Sequence, residues 1–194
     1  NSAAIAKRAL AVANKAQRQA RGEKKTFDTT VSSSTINNTY TLTHMTNVAQ
    51  GDDYNNREGR TIKLASIELN GWAQKHASAT DTKLRVMVFI DNEPEGEDPT
   101  GNEVLASQST YALRNPAPHH MRRFKILMDR VYFLNDGKSH SAKVQFYKKL
   151  NHKVTYTSSA AGGSGEGALW CLMISNEGTN VPSLNLFSRI RFYD

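Results

Sequence analysis

The chain has 194 residues, a formal net charge of +7 and one cysteine, Cys171. This length suffices for one domain of ordinary size plus a terminal segment, and a lone cysteine excludes an intrachain disulfide. No apolar stretch approaches the roughly 18 residues that a transmembrane helix requires, so no membrane partner is predicted.

The positive charge is concentrated in residues 1–25, which we call the arm. The arm contains seven basic residues and one acidic residue, whereas residues 26–194 hold 18 basic and 17 acidic residues. The basic residues of the arm are Lys7, Arg8, Lys15, Arg18, Arg21, Lys24 and Lys25. A nearly neutral body with a concentrated basic arm indicates a polyanionic partner.

The arm has the composition of a helix. Residues 3–21 are rich in alanine and contain no Gly or Pro, which predicts a helix that ends at Gly22. Five of the basic side chains fall within an arc of roughly 140° and can follow a phosphate backbone, with salt-dependent binding that is blind to sequence. Two alternatives stay open. A basic helix can lie on a membrane, although the alanine-rich apolar face argues against this, and a charged terminus can be a solvated tail.

Beyond Gly22 the composition changes to residues that favour strands. A strand from Thr26, a turn at Asn37-Asn38 and a second strand are predicted first, followed by a polar loop. The segment Thr61–Ala73 is predicted to form a long strand. Its apolar alternation slips between Leu64 and Ile67, as a β-bulge would cause.

The rest of the chain continues the strand pattern. The nearly continuous apolar run of residues 83–90 is typical of a strand buried on both faces. The other predicted elements are an acidic loop at 91–102, a helical turn at 103–107, strands at 122–134, 142–150, 152–158, 168–175 and 184–193, a turn at 135–137 and a loop at 160–167. About eight strands, with no amphipathic helix after residue 25, predict an all-β sandwich or barrel.

Three patterns approach catalytic or metal-binding motifs without completing them. The GKS of residues 137–139 requires a Gly where Tyr132 stands. A nucleophile elbow around Ser164 requires a Gly in place of Glu166. The His119-His120 pair has no further ligand at metal-binding spacing. The sequence therefore predicts no enzyme.

The densest acidic segment runs from Asp91 to Asp98. Its start resembles a calcium loop, but Asn102 stands where the bidentate Glu is required. An EF-hand is therefore not predicted. Carboxylates that share a cation with a neighbouring subunit, or a merely solvated loop, both stay open.

Three short segments occur in the order found in small icosahedral virus coat proteins. They are QGDDYNNR at 50–57 before a long strand, FIDN at 89–92 closing the next, and RRFKIL at 122–127 opening a later one. Together with the arm, they resemble the coat protein of satellite tobacco necrosis virus and its relatives. The resemblance extends to capsid proteins of circular single-stranded DNA viruses, which we expect to be related to this group.

The resemblance implies an eight-stranded jelly roll over residues 26–194, with two four-stranded antiparallel sheets behind the arm. It also implies a capsid protein that self-assembles into a T=1 shell of sixty copies, with the arms on a single-stranded RNA or DNA genome. Such a protein is part of the virion and assembles in the host cytoplasm or nucleus.

The resemblance further implies sites on the body. By their place in the matching segments, Lys63, Arg122 and Arg123 join the arm as nucleic-acid-binding candidates, with Lys125 as a weaker one. No cofactor is required, but relatives can bind calcium at subunit contacts. The candidate ligands here are Asp91, Glu93, Glu95 and Asp194.

Two other classes of protein stay open. A cellular jelly-roll binding module, such as a lectin, has no use for the basic arm. A cellular nucleic-acid-binding protein favours basic and aromatic residues on its folded body, and the net charge of +1 on residues 26–194 argues against this class.

Overall fold

The computed structural model describes residues 4–10, 12, 24–31, 33, 35–137, 139–161, 163 and 165–194. Residues 4–10 are helical, as predicted for the arm, and we call this segment α1. The body contains eight strands and two short helices. In chain order these are β1 (Lys24–Thr30), β2 (Thr41–His44), β3 (Thr61–Gln74), β4 (Asp81–Asp91), α2 (Gly101–Val104), α3 (Pro118–Arg123), β5 (Phe124–Asn135), β6 (Ser141–Thr155), β7 (Ala168–Ser175) and β8 (Ser183–Tyr193).

The strands form two four-stranded antiparallel sheets. Sheet I has the order β1-β8-β3-β6 and sheet II the order β2-β7-β4-β5. Strands that are neighbours in a sheet are mostly distant in sequence, which is the pattern of a jelly roll, and the predicted fold is confirmed. No helix among the described residues is long and apolar enough to span a bilayer.

The two sheets pack face to face around an apolar core. Alternate residues of β8, such as Leu186 and Ile190, point into the core, and sheet II contributes residues such as Val86 and Val88. On the other face of sheet II, Phe89 and Trp170 pack against Leu105 of the segment that joins β4 to β5. The central strands β4 and β7 of sheet II are therefore covered on both faces, whereas sheet I presents alternate residues to solvent.

Several boundaries differ from those predicted. The predicted bulge in β3 is confirmed, since the register shifts between Leu64 and Ser66. The first strand begins at Lys24, so Lys24 and Lys25 belong to the body and not to the arm. The strands predicted at 142–150 and 152–158 form one strand, β6. The polar Asn151 between them lies at an exposed position beside the register shift with β3, and the strand continues through it.

The joint between α3 and β5 also differs. Arg122 and Arg123 were predicted to open a strand, but they close α3, and β5 begins at Phe124. Pro118 stands at the start of α3, where its fixed φ favours a helix.

Candidate nucleic-acid interface

The solvent face of sheet I carries a row of basic residues where the arm joins the body. Lys24 of β1 lies opposite Tyr193 of β8, which lies opposite Lys63 of β3, which lies opposite Lys153 of β6. We call these four residues the lysine row. Because strands in a sheet lie about 4.8 Å apart, the row crosses the whole sheet within about 15 Å.

A cleft of about 380 Å³ opens beside the lysine row. Its lining includes Lys24, Lys63, Lys149, Tyr147 and Tyr193, and we call it the lysine–tyrosine cleft. Lys149 comes from β6, where it lies opposite Ser66 at the bulge of β3. The bulge predicted from the sequence therefore lies in the wall of this cleft.

The lysines of this region have no acidic partner. Lys24, Lys63, Lys149 and Lys153 are exposed and form no ion pair with another described residue. Two neighbouring arginines are neutralised, since Arg189 pairs with Asp28 at 2.6 Å and Arg191 with Glu68 at 2.9 Å. The unpaired lysines of the lysine row therefore lie at the end of sheet I where the arm joins the body, although Lys143 on β6 is also exposed and forms no ion pair with a described residue.

The lysine row contains an unfavourable contact. Lys63 and Lys153 are direct cross-strand partners, and like charges in that arrangement destabilise a sheet. A polyanion at this position would remove the repulsion, because each phosphate would neutralise a lysine and release counterions.

The arm leads to this surface. Lys7 and Arg8 are exposed on α1, whereas Lys15, Arg18 and Arg21 lie outside the described residues. Lys24 follows as the first residue of β1 and lines the cleft. Among the residues predicted from sequence, the structure thus brings Lys24 and Lys63 together.

Two predicted nucleic-acid ligands are instead held by carboxylates. Lys25 points away from the lysine row, and its ammonium pairs with Glu58 at 2.9 Å and Asp194 at 3.1 Å. Hydrogen bonding to Glu58 raises the pKa of Lys25. Arg123 is 3% exposed and pairs with Asp91 at 2.8 Å, so its guanidinium is not presented to a phosphate. In this structure the charges of Lys25 and Arg123 are therefore both compensated within the protein.

The other two body candidates do not join the lysine row directly. Arg122 is exposed on α3, which packs against β5 of sheet II. Lys125 is exposed on β5. Burial and then the positive charge of Lys125 lower the pKa of His152, the neighbour of Lys153 in β6. Lys125 therefore lies near the β6 end of the row.

The calcium candidates are dispersed. Asp91 is 1% exposed and bound to Arg123, while Glu95 lies 3.9 Å from the same guanidinium. Asp194 is engaged by Lys25, and Glu93 is exposed. In the described part of the chain, no three acidic, His or Cys side chains are grouped so as to hold a metal ion. Calcium at a subunit contact stays a prediction.

Sequence reasoning missed Lys149, Lys153, Tyr147 and Tyr193. Three of them could have been found from the sequence. Tyr147, Lys149, Asn151 and Lys153 are spaced two residues apart, and this spacing places them on one face of a strand. Dividing β6 into two strands concealed this pattern.

The comparison with protein families decides what kind of protein carries this surface. The family described as satellite tobacco necrosis virus coat protein matches residues 2–194. The chain belongs to that coat protein family. This membership favours the coat-protein interpretation over the lectin-like and cellular nucleic-acid-binding alternatives.

Individual relatives agree. The coat protein of Maize white line mosaic Satellite virus is 29% identical over 167 residues, which cover 82% of this chain and 74% of that protein. The capsid protein of Satellite tobacco necrosis virus 1 is 29% identical over 157 residues and 79% of each chain. This coat protein is therefore a structural component of a virion.

A solved structure titled Desmodium yellow mottle tymovirus aligns with 89% of this coat protein and 87% of that chain. The identity is 8% and the TM-score 0.43. The jelly-roll assignment depends on the strand order.

Proposed function

We propose that sixty copies of this coat protein form a T=1 shell and package a single-stranded genome through their basic arms. The observation that carries the proposal is the charge distribution. Residues 1–23 contain five basic residues and one acidic residue, and the lysine row of sheet I lies where this segment ends. Sixty such arms bring about 240 positive charges to the genome, apart from those of the lysine row.

The lysine row extends the arm onto the body. Lys24, Lys63 and Lys153 give the phosphates a surface on the folded body, and the basic residues of the arm add to it. Neither surface distinguishes RNA from DNA, because phosphate contacts are common to both. Kinship with the capsid proteins of circular single-stranded DNA viruses, calcium at subunit contacts, and assembly in the cytoplasm or nucleus remain predictions.

Deletion of residues 1–23 tests the role of the arm. The deletion stops before Lys24, so β1 and its pairing with β8 stay intact. We expect the body to fold and the purified particles to lack nucleic acid, measured as the ratio of absorbance at 260 and 280 nm. A second variant keeps the arm and replaces its five basic residues by Gln, which separates charge from length. An unchanged absorbance ratio in both variants would refute the proposal.

A further inference from the structure

We infer that the lysine–tyrosine cleft binds one unpaired nucleotide of a single strand, with its phosphate on the lysines and its base stacked on a tyrosine. The inference rests on the proposed function and deepens it. Such a site gives the body a preference for unpaired over base-paired nucleic acid. An arm that binds only phosphates does not provide this preference.

The electrostatics of the cleft fit a phosphate. Lys24, Lys63 and Lys149 converge on it from three different strands, and none of them is neutralised by a described carboxylate. On the same face, Glu68 is paired with Arg191 at 2.9 Å. An anion in the cleft therefore meets several ammonium groups, and two described carboxylates of that face, Asp28 and Glu68, are paired with arginines.

The aromatic residues of the cleft fit a base. Tyr147 is 57% exposed, and neither Tyr147 nor Tyr193 packs against the two apolar cores of the protein. The ring of Tyr147 is thus available for stacking, and the half-buried Tyr193 lines the same cleft. Aromatic rings beside a basic groove are the usual platform for single-stranded nucleic acid, because every base has an apolar face. In a duplex those faces are covered by neighbouring bases, so an unpaired base is required.

The size and position of the cleft agree with this ligand. A cleft of about 380 Å³ lies in the range that accommodates one small ligand. The amide of Asn151 also lines it and offers a donor and an acceptor to the edge of a base. Since Lys24 forms part of the wall, a strand that follows the arm reaches the cleft as it meets the body.

The test compares two ligands on full-length protein. Binding of a labelled single-stranded oligonucleotide and of a duplex of equal length is measured by fluorescence anisotropy at one salt concentration. We expect Tyr147→Leu with Tyr193→Leu to weaken binding of the single strand by about tenfold, the size of one lost base–aromatic stack, and to leave duplex binding within about twofold of wild type. Tyr147→Leu alone provides the test if the double variant does not fold, since this ring is largely exposed.

Tyr111 supplies a matched control. It is an exposed tyrosine beside a lysine, with the Lys83 ammonium 5.3 Å from its ring centroid, but it lies against sheet II. Tyr111→Leu should leave both affinities unchanged. If the cleft variants bind single strand and duplex as wild type does, or lose both equally, the base-stacking inference is wrong while the proposed function stands. If the wild-type protein binds neither ligand, the proposed function itself fails.

Discussion

Arg123 and Asp91 form a buried ion pair with two parallel hydrogen bonds. Nε and Nη2 of Arg123 each lie 2.8 Å from a carboxylate oxygen of Asp91. A third hydrogen bond joins Arg123 to Glu103 of α2 at 3.0 Å. Arg123, at the junction between α3 and β5, therefore binds both the end of β4 and the helix α2.

The ion pair predicts a large stability difference between two adjacent arginines. Arg123→Met leaves the carboxylate of Asp91 buried without a partner, which costs about 3–5 kcal/mol. The free energy of unfolding from urea titration at fixed protein concentration measures this loss.

Arg122→Met is the matched control, because Arg122 is exposed and carries the same charge. We expect it to change the free energy of unfolding by less than about 0.5 kcal/mol. Adding Asp91→Leu to Arg123→Met should recover part of the loss. Equal effects of the two arginine substitutions would mean that the ion pair does not stabilise the fold.

His44 predicts an acid-dependent loss of stability. Its ring stacks on Trp170 with a centroid distance of 4.6 Å, and burial lowers its pKa from 6.5 to about 4, against the opposing charge of Asp98. Below pH 6.5 the unfolded chain binds a proton that the folded protein excludes. Stability therefore falls as the pH drops from 6.5 to about 4, by on the order of 3 kcal/mol.

His44→Phe keeps a ring on Trp170 and removes the titration. Its urea midpoint should fall less than that of wild type between pH 7 and pH 4. His140→Gln supplies the control, because it removes an exposed histidine and keeps the buried ring of His44. If the urea midpoint of His44→Phe falls as much as that of wild type between pH 7 and pH 4, groups other than His44 cause the acid sensitivity.

Gly71 predicts a steric limit within sheet I. A Cβ at this position of β3 would lie 2.7 Å from Cα of Leu186 and would also collide with the carbonyl oxygen of Asn185, both in β8. Backbone atoms cannot rotate away, so Gly71→Ala should cost at least about 1–3 kcal/mol of unfolding free energy. Gly59→Ala, whose nearest neighbour would be 3.9 Å away, should be tolerated. Similar urea midpoints for the two variants would contradict this close approach.

The Lys63–Lys153 contact predicts opposite effects on stability and binding. In protein freed of nucleic acid, Lys153→Gln should raise the melting temperature at low salt, because it removes a like-charge pair, and should weaken binding of nucleic acid. The gain should disappear at high salt. Lys148→Gln removes the same charge from β6 opposite Ile67 and should not raise the melting temperature. If the higher melting temperature of Lys153→Gln persists in concentrated salt, it does not come from removing the Lys63–Lys153 repulsion.

The strand pattern was predictable because burial imposes a period of two on each strand. Leu184, Leu186, Ile190 and Phe192 share the inner face of β8, and the slip after Leu64 marks the bulge of β3. No local pattern in the sequence specifies the order of the strands in the sheets. It followed from the resemblance, which depends on short segments.

The side-chain partners were less predictable. Nothing in the dipeptide Arg122-Arg123 says which guanidinium turns inward, since that choice depends on Asp91, 32 residues earlier. Lys25 likewise looks like one more arm residue until Asp194, at the other end of the chain, is placed beside it. Charge counting locates a basic region, but long-range pairing decides which of its members are free.

The pairing of Lys24 with Tyr193 has a consequence for engineering this coat protein. The strand that receives the arm and the last strand lie side by side, and Lys25 holds Asp194 at 3.1 Å. A peptide fused after Asp194 would therefore emerge beside the root of the arm. If the arms point into the shell, such a fusion would carry an enzyme or a fluorescent label into the particle interior.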